Sequence, residues 1–309
     1  MVNRMPISTR QLCREILKIP KEELLSLLAD RQSYYRPYQK KKTKSDGSLK
    51  VRDIEPPYDY LKIVLKKIDR NILQPALSDL PYGVMGGRKG YSVVDNARYH
   101  ARSKALMKYD VKDFFPSIKY EDVYHIFRYQ LNFCKEAANI LAHLVTYETA
   151  KHGIHVPQGS PTSMSIANLA LAKVSRKLNE YCEANDMKFS SWVDDITISG
   201  SYASLKKYRA HINYLTKSTK YTINPDKDLG IIQKGAKIDD NEKGRIVTGV
   251  VIANDNQLTL GHKRLSRMRK QLIRSKKPSG KLRGRIQFLK QVNPAQARKL
   301  LHDYREKYK

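Results

Sequence analysis

Two acidic residues are adjacent in the stretch that decides the fold, Ser191-Trp192-Val193-Asp194-Asp195-Ile196-Thr197-Ile198-Ser199. Most residues on either side of the pair are strand formers, so the pattern predicts a short β-hairpin with the acids at its turn. Both carboxylates would then point the same way, and such close like charges are tolerated when a cation lies between them. Carboxylate oxygens are hard ligands that suit Mg²⁺. An isolated Asp-Asp pair is also compatible with a plain solvated turn.

A further acid, Asp110, supports the metal interpretation. It ends a strand-like run, after which the chain turns through Pro116. One acid at a strand end and two on a hairpin are the minimum for a two-metal phosphoryl-transfer site, where the cations hold the attacking and leaving oxygens. Between these segments, the run Gln158-Gly159-Ser160-Pro161 allows close backbone approach at its glycine and predicts a helix continuing through Leu178.

The order of these segments resembles a reverse transcriptase. Asp110 followed by Phe115 is similar to the first catalytic palm motif, and Gln158-Gly159-Ser160-Pro161 is similar to the second. Trp192-Val193-Asp194-Asp195 resembles the Tyr-x-Asp-Asp box, with Trp in place of the usual Tyr. Asn224-Pro225-Asp226-Lys227 resembles the lysine motif that follows. Any one of these matches is weak, whereas four in the right order are specific.

Two other strings are similar to signatures of bacterial retron reverse transcriptases. Asn96-Ala97-Arg98-Tyr99-His100 resembles their Asn-Ala-x-x-His signature, and Val247-Thr248-Gly249 resembles their Val-Thr-Gly triplet. From the residues alone, the triplet belongs to a strand covering residues 245–252. His100 follows on a helix from Val94 and is interpreted as a structural histidine without an acid-base role.

The resemblance implies an α+β right-hand polymerase fold. Residues 1–229 would form fingers and palm, with a small antiparallel sheet flanked by helices. Residues 230–309 would form the palm-thumb connection and a short, basic, mainly helical thumb that binds RNA. From Lys263 to Lys309 there are 17 Lys or Arg residues against two acids. We expect the interleaved Gln287, Phe288 and Tyr304 to stack on or bond to unpaired bases. The alternative is that Phe288 and Tyr304 form the small core of the thumb.

The same resemblance implies roles for individual residues. Asp110, Asp194 and Asp195 would be catalytic and would hold two Mg²⁺ ions, with the carbonyl of Val111 as a further ligand. The residues expected to contact the dNTP or its paired template base are Arg52 and Lys44 as triphosphate clamp, Phe115 as the gate that excludes a 2′-OH, Gln158 at the template-nucleotide pair, and Lys227 near the departing pyrophosphate.

Arg52 lies on the return strand of a predicted hairpin. Asp46-Gly47 between strand-like flanks is a hairpin signal, and residues 49–54 form the second strand. In a polymerase this hairpin is the fingertip that neutralises the triphosphate. A solvated edge strand protected by lysines is the alternative.

Composition indicates a polyanionic partner. Lys and Arg number 59 against 30 acids, giving a formal charge of +29, and such an excess attracts nucleic acid. No apolar stretch approaches the roughly 18–20 residues of a spanning helix, and residues 1–7 lack an apolar signal core. Cys13, Cys134 and Cys182 are odd in number and show no Cys-x-x-Cys spacing. We therefore expect a cytoplasmic protein without disulfides, zinc or membrane contact.

The retron resemblance implies a specific activity. The enzyme would bind a structured noncoding RNA, start at the 2′-OH of a guanosine in it, and copy part of it into branched RNA-DNA, called msDNA. The family serves in anti-phage defence, usually with a separate effector protein. The chain has little room for a nuclease domain, so a host ribonuclease H would remove template RNA. Alternatives are a group II intron-type reverse transcriptase, disfavoured by the short thumb, and a catalytically inactive RNA-binding subunit, disfavoured by the intact acids.

Overall fold

The computed structural model describes residues 5–43, 47, 49–225, 228–235, 244–274 and 277–308. Lys44 and Lys227, which have expected roles at the site, lie outside the described residues. The strands are Tyr38–Thr43 (β1), Leu49–Ile54 (β2), Ala105–Asp110 (β3), Tyr147–Thr149 (β4), Gly153–His155 (β5), Lys188–Trp192 (β6), Asp195–Gly200 (β7), Ile232–Gln233 (β8), Ile246–Val247 (β9), Val250–Ile252 (β10) and Leu258–Thr259 (β11).

The α-helices are Thr9–Gln11 (α1), Lys21–Ala29 (α2), Asp59–Ile68 (α3), Gln74–Ala76 (α4), Val93–His100 (α5), Phe114–Ser117 (α6), Tyr120–His125 (α7), Lys135–Val145 (α8), Ser163–Ala170 (α9), Ala172–Glu183 (α10), Tyr202–Lys217 (α11), His262–Ile273 (α12), Gly280–Val292 (α13) and Pro294–Tyr308 (α14). Turns of π-helix cover Leu12–Leu17, Asp69–Leu73 and Ile126–Gln130, and 3₁₀ turns cover Arg31–Tyr34 and Leu77–Asp79. None of the helices in the described ranges is both long and apolar enough to cross a membrane.

An antiparallel sheet in the order β6-β7-β3-β8 is the centre of the molecule. Strand β3 is almost wholly buried, because apolar cores cover both of its faces. Met107 and Tyr109 belong to the larger core, which the N-terminal helices and α7 to α11 share. Leu106, whose side chain alternates to the other face, belongs to a second core.

The second core joins the sheet to the C-terminal helices. It combines Leu106 and Ile232 with Val94 and Ala97 of α5, strands β9 to β11, and the apolar faces of α12 to α14. Phe288 and Tyr304 pack against this core as partly buried side chains, so the structure favours the packing alternative for these two rings. The mixed helical and antiparallel architecture agrees with the predicted α+β class.

Two sequence predictions about local structure are wrong. The Val-Thr-Gly triplet does not continue one strand, because Thr248 and Gly249 have φ values of 47° and 78° and form the two-residue turn between β9 and β10, where Val247 pairs with Val250. Positive φ at both central positions is the pattern of a type I′ turn. The helix predicted through Leu178 is interrupted at Leu171, which separates the almost wholly buried α9 from the one-sided α10 that packs on β6.

Candidate active site

The Asp194-Asp195 pair lies on the predicted hairpin. Trp192 on β6 pairs with Asp195 on β7, which leaves Val193 and Asp194 as the two turn residues. Val193 has φ of 60°, a conformation that is rare for a β-branched residue. The surrounding structure must therefore hold the turn in place, because the local sequence does not prefer it.

Asp110 faces Asp195 directly across strands β3 and β7. The amide of Val111 donates to the carbonyl of Asp194 at 3.1 Å, so Asp110 and Asp195 form a non-hydrogen-bonded pair, the closer of the two antiparallel spacings at about 4.5 Å between Cα atoms. Like charges directly opposite on a sheet are destabilising. The fold brings the first acid and the hairpin acid together as the sequence predicted, at a point where a cation would relieve their repulsion.

Asn224 contacts Asp110 twice. Its backbone amide donates to the Asp110 carbonyl at 2.7 Å, and its Nδ2 lies 3.4 Å from Asp110 Oδ2. The neighbouring β-bridge between Val111 and Ile223 consists of two hydrogen bonds, in which the Asn224 and Lys112 amides donate to the Asp110 and Thr222 carbonyls. The Val111 carbonyl takes part in neither of these two bonds. Sequence reasoning placed Asn224 in a motif without giving it a role, and only the bridge shows that it orients the carboxylate.

The donor set at this point fits a divalent cation, since Asp110, Asp194, Asp195 and the Val111 carbonyl offer only hard oxygen atoms. Within the described residues, no group of three or more His, Cys, Asp and Glu side chains is already arranged around a metal position. The backbone places the acids on adjoining strands and the turn between β6 and β7, where their carboxylates would hold the cation.

The glycine-rich segment before α5 supports the catalytic hairpin. Its Gly83 carbonyl accepts from Ser191 N at 2.9 Å, and the Gly86 amide donates to the Ser191 carbonyl at 3.2 Å. A Cβ on Gly83 would lie 2.0 Å from the Phe189 carbonyl, and one on Gly86 would lie 2.6 Å from Val193 N. At these two glycines the segment thus approaches the backbone of the hairpin more closely than a residue with a Cβ could.

His100 links the two strands of the hairpin. Its Nε2 is 2.7 Å from Ser190 Oγ on β6, and its Nδ1 is 2.6 Å from Ser199 Oγ on β7. A neutral imidazole has one donor and one acceptor nitrogen, which two hydroxyl groups can match. Burial, followed by the positive charge of Lys188, lowers the pKa of His100 to about 3. The histidine is neutral and structural, as the sequence predicted.

Arg52 lies on the antiparallel hairpin of β1 and β2, whose return strand covers residues 49–54 as predicted. Lys40 is directly opposite Arg52 in the register of the two strands. Cation opposite cation is unfavourable in the protein alone, and an anion such as a triphosphate would relieve it. The hairpin is anchored by Asp53, whose carboxylate accepts from Lys151 Nζ at 2.7 Å; this bond lowers the pKa of Asp53 below its usual range.

A buried acid and histidine join this hairpin to Gln158. Glu55 Oε2 lies 3.1 Å from His155 Nε2, and both residues are at most 3% exposed. The Glu55 amide donates to the Gln158 carbonyl at 2.8 Å, and a Cβ on Gly159 would lie 3.2 Å from Ile54 Cγ2. Sequence reasoning missed this pair, because 100 residues separate its members.

Phe115 lies on α6, the short helix that follows Asp110, and packs partly buried against the larger core. Its ring centroid is 6.3 Å from that of Phe114, which in turn contacts Tyr221 at 5.0 Å. The ring is therefore held by its neighbours close to the end of β3, as a gate that works by volume requires.

Comparison with known proteins agrees with this geometry. Residues 39–237 match the family model described as reverse transcriptase (RNA-dependent DNA polymerase). The retron Ec73 reverse transcriptase of Escherichia coli is 31% identical over 275 residues, covering 84% of each chain. The chain belongs to the bacterial retron reverse transcriptases. It is accordingly an RNA-directed DNA polymerase, and the family uses divalent metal ions and dNTPs.

Other retron reverse transcriptases show the same relationship. The retron Ec86 reverse transcriptase of Escherichia coli is 28% identical over 238 residues, covering 77% of this chain and 69% of that protein. The retron Mx65 reverse transcriptase of Myxococcus xanthus is 27% identical over 261 residues, covering 76% of this chain and 58% of that protein. The family match begins within β1 and ends just after β8, so it contains the sheet and all the expected site residues of this retron enzyme.

Proposed function

We propose that this enzyme binds one structured noncoding RNA, starts synthesis at a 2′-OH of that RNA, and copies part of it into branched msDNA. The observation that carries the catalytic part is the direct pairing of Asp110 with Asp195 beside the Asp194 turn. The names of the retron relatives support the choice of an RNA partner.

Each expected site residue has a defined task in this proposal. Asp110, Asp194 and Asp195 hold two Mg²⁺ ions together with the Val111 carbonyl, and Asn224 orients the first carboxylate. Bound metal would activate the attacking hydroxyl and stabilise the leaving pyrophosphate. The protein's own contribution is to keep the acids on adjoining strands before substrate arrives, so that little reorganisation is needed.

The nucleotide is held by the residues around the acids. Arg52 grips the triphosphate from the fingertip hairpin with Lys44, because a guanidinium binds phosphate oxygens in a bidentate manner. Phe115 excludes a 2′-OH on the incoming sugar by its volume. Gln158, fixed through Glu55, contacts the template-nucleotide pair, and Lys227 approaches the pyrophosphate.

The C-terminal helices act as a thumb that binds the RNA. Their apolar faces are used in the second core, which leaves their basic residues to neutralise phosphates and release counterions. The division of the chain at residue 229 into a catalytic part and this thumb remains a prediction. We also propose that the enzyme works in the cytoplasm in anti-phage defence with a separate effector protein, and that host ribonuclease H removes copied RNA.

Primer extension with Mg²⁺ and dNTPs tests the catalytic assignment. Asp195→Asn and Asp194→Asn should abolish DNA synthesis and leave RNA binding nearly intact, because the acids serve the metals. Asp186→Asn is the matched control: this exposed acid precedes β6 and has φ of 53°, which Asn tolerates. Extension by Asp195→Asn at the rate of the control would contradict the two-metal assignment.

Priming is tested separately with the RNA that copurifies with the protein. Sequencing that RNA identifies it, and mapping the branch identifies the priming guanosine. RNA with 2′-deoxyguanosine at that position should still bind but give no product. Normal synthesis on the deoxy-substituted RNA would contradict priming from the 2′-OH.

A further inference from the structure

Three tyrosines contact one another near the start of β6. The ring centroid of Tyr82 is 5.6 Å from that of Tyr91 and 5.5 Å from that of Tyr99, with interplanar angles of 72° and 60°. Tyr82 is 60% exposed, whereas Tyr91 and Tyr99 are half-buried. We call Tyr82, Tyr91 and Tyr99 the tyrosine platform.

Two cations lie over the rings of the platform and are held by backbone carbonyls. The Arg88 guanidinium is 5.1 Å from the Tyr91 centroid, and its Nη1 donates to the carbonyls of Pro81 and Val84 at 3.0 and 2.9 Å. Lys188 Nζ is 5.0 Å from the Tyr99 centroid and donates to the Tyr99 carbonyl at 2.9 Å. These carbonyls fix the positions of the two cations without cancelling their charge.

The closest acid on α5 is already engaged. Asp95 accepts from the Ser92 amide at 3.0 Å at the start of the helix and from Arg98 Nη1 at 2.9 Å. Burial of the ring raises the pKa of Tyr99, and the Glu183 carboxylate adds to this effect. The platform therefore combines the exposed ring of Tyr82 with two cations, Arg88 and Lys188, placed over its neighbouring rings.

The platform lies at the end of β6 away from the catalytic turn. Lys188 begins that strand and Asp194 comes six residues later, a separation of about 20 Å in extended chain. The glycine contacts to β6 and the bond between Ser191 N and the Gly83 carbonyl hold the segment carrying Tyr82 to this strand. RNA bases bound on the platform would therefore lie far from the nucleotide that reacts at the catalytic acids.

We propose that the tyrosine platform is a stacking site for unpaired bases of single-stranded RNA outside the active site. This inference rests on the proposed function only in taking RNA as the ligand. Aromatic rings stack on bases of any sequence, and neighbouring cations neutralise the backbone. In a duplex the base faces are covered by adjacent base pairs, so the ring of Tyr82 favours unpaired RNA.

Direct binding tests the platform with the full-length protein and no dNTPs. The probes are a fluorescent ten-residue oligoadenylate RNA and a blunt RNA duplex carrying a similar charge. Tyr82→Ala should weaken oligoadenylate binding by about 5- to 150-fold, the range that removal of one base-stacking ring gives. Duplex binding should change by less than about twofold, because the substitution removes no charge.

Two further variants separate stacking from other causes. Tyr82→Phe keeps the ring and should bind oligoadenylate like the wild type. Tyr214→Ala removes a ring that is 67% exposed on α11 and should leave binding of both probes unchanged. The slope of binding against salt concentration should be the same for Tyr82→Ala and the wild type, since no phosphate contact is lost.

Three results would overturn the proposal: unchanged oligoadenylate binding by Tyr82→Ala, an equal loss for both probes, or a loss in Tyr82→Phe as large as in Tyr82→Ala. The catalytic proposal is tested by wild-type primer extension on the same preparation. Inactive protein that still shows the Tyr82 effect would refute the proposed function and leave the platform established. Active protein without the Tyr82 effect would support the proposed function and refute the platform.

Discussion

Lowering the pH should weaken the attachment of α5 to the catalytic hairpin, because this attachment depends on a neutral His100. This side chain is 1% exposed and bonds Ser190 and Ser199, and its pKa falls from 6.5 to about 3 because of burial and, secondarily, Lys188. In the unfolded chain the imidazole binds a proton near pH 6.5, whereas in the folded chain it stays neutral. The stabilisation is complete above pH 6.5 and is lost progressively as the pH falls toward 3.

The size of the effect follows from the two pKa values. At pH 5, about 1.5 pH units below the unfolded pKa, His100 lowers the free energy of unfolding by about 2 kcal/mol at 1.36 kcal/mol per unit. This figure changes little while the folded pKa lies anywhere below about 4, so it does not depend on the depth of the shift. The difference between wild type and variant isolates the contribution of His100.

Urea unfolding at pH 7 and pH 5 measures this contribution. The chain has one tryptophan, Trp192, which lies on the hairpin that His100 holds and reports on it by fluorescence. Between pH 7 and pH 5, the free energy of unfolding of His100→Gln should fall by about 2 kcal/mol less than that of the wild type. His262→Gln, at the exposed start of α12, should behave like the wild type. An equal pH-dependent loss in His100→Gln and wild type would refute the reasoning.

Three further predictions concern packing and specificity. Gly86→Ala should lower the thermal midpoint, because its Cβ would lie 2.6 Å from Val193 N and overpacking costs about 1–3 kcal/mol. Gly284→Ala, on α13 where an added Cβ meets no atom within 4 Å, should instead stabilise the protein by about 0.5–1 kcal/mol. A higher midpoint for Gly86→Ala than for Gly284→Ala would contradict the packing argument. Phe115→Ala should admit ribonucleotides in single-turnover incorporation, whereas unchanged selectivity between dNTP and rNTP would place the gate elsewhere. Glu55→Gln should raise the KM for dNTPs more than it lowers kcat, since the Glu55 carboxylate contacts His155 Nε2 and accepts from the Gln158 amide at 3.4 Å and so ties the fingertip hairpin to Gln158; a fall in kcat at constant KM would show that the pair acts on chemistry.

Local pattern was enough to predict the elements that carry the acids. Alternation around Asp194-Asp195 gave the hairpin, and a strand ending at Asp110 gave its neighbour. The pairing of β3 with β7 then follows from the need to bury both apolar faces. Roles for Phe115, Gln158 and the positions outside the described residues, Lys44 and Lys227, come from family resemblance and remain predictions.

Contacts between distant segments were beyond the reach of sequence patterns. The Glu55–His155 pair and the bonds from Asn224 to Asp110 join residues about a hundred positions apart, and no local spacing encodes them. Thr248 was placed in a strand because β-branched residues favour one. In the folded chain, its hydroxyl donates to the Val93 carbonyl at 3.0 Å, a tertiary contact that accompanies its left-handed turn conformation.

Strand β3 has consequences for any attempt to divide this protein into parts. Leu106 and Met107 are neighbours in the chain but belong to separate apolar cores, and the strand that contains both ends in Asp110. Removing the C-terminal helices would expose Val94, Ala97, Leu106 and Ile232 to water, an apolar surface that promotes aggregation. A split enzyme cut between residues 235 and 244 would therefore consist of two fragments that each need the other to fold, and its activity would report their reassembly.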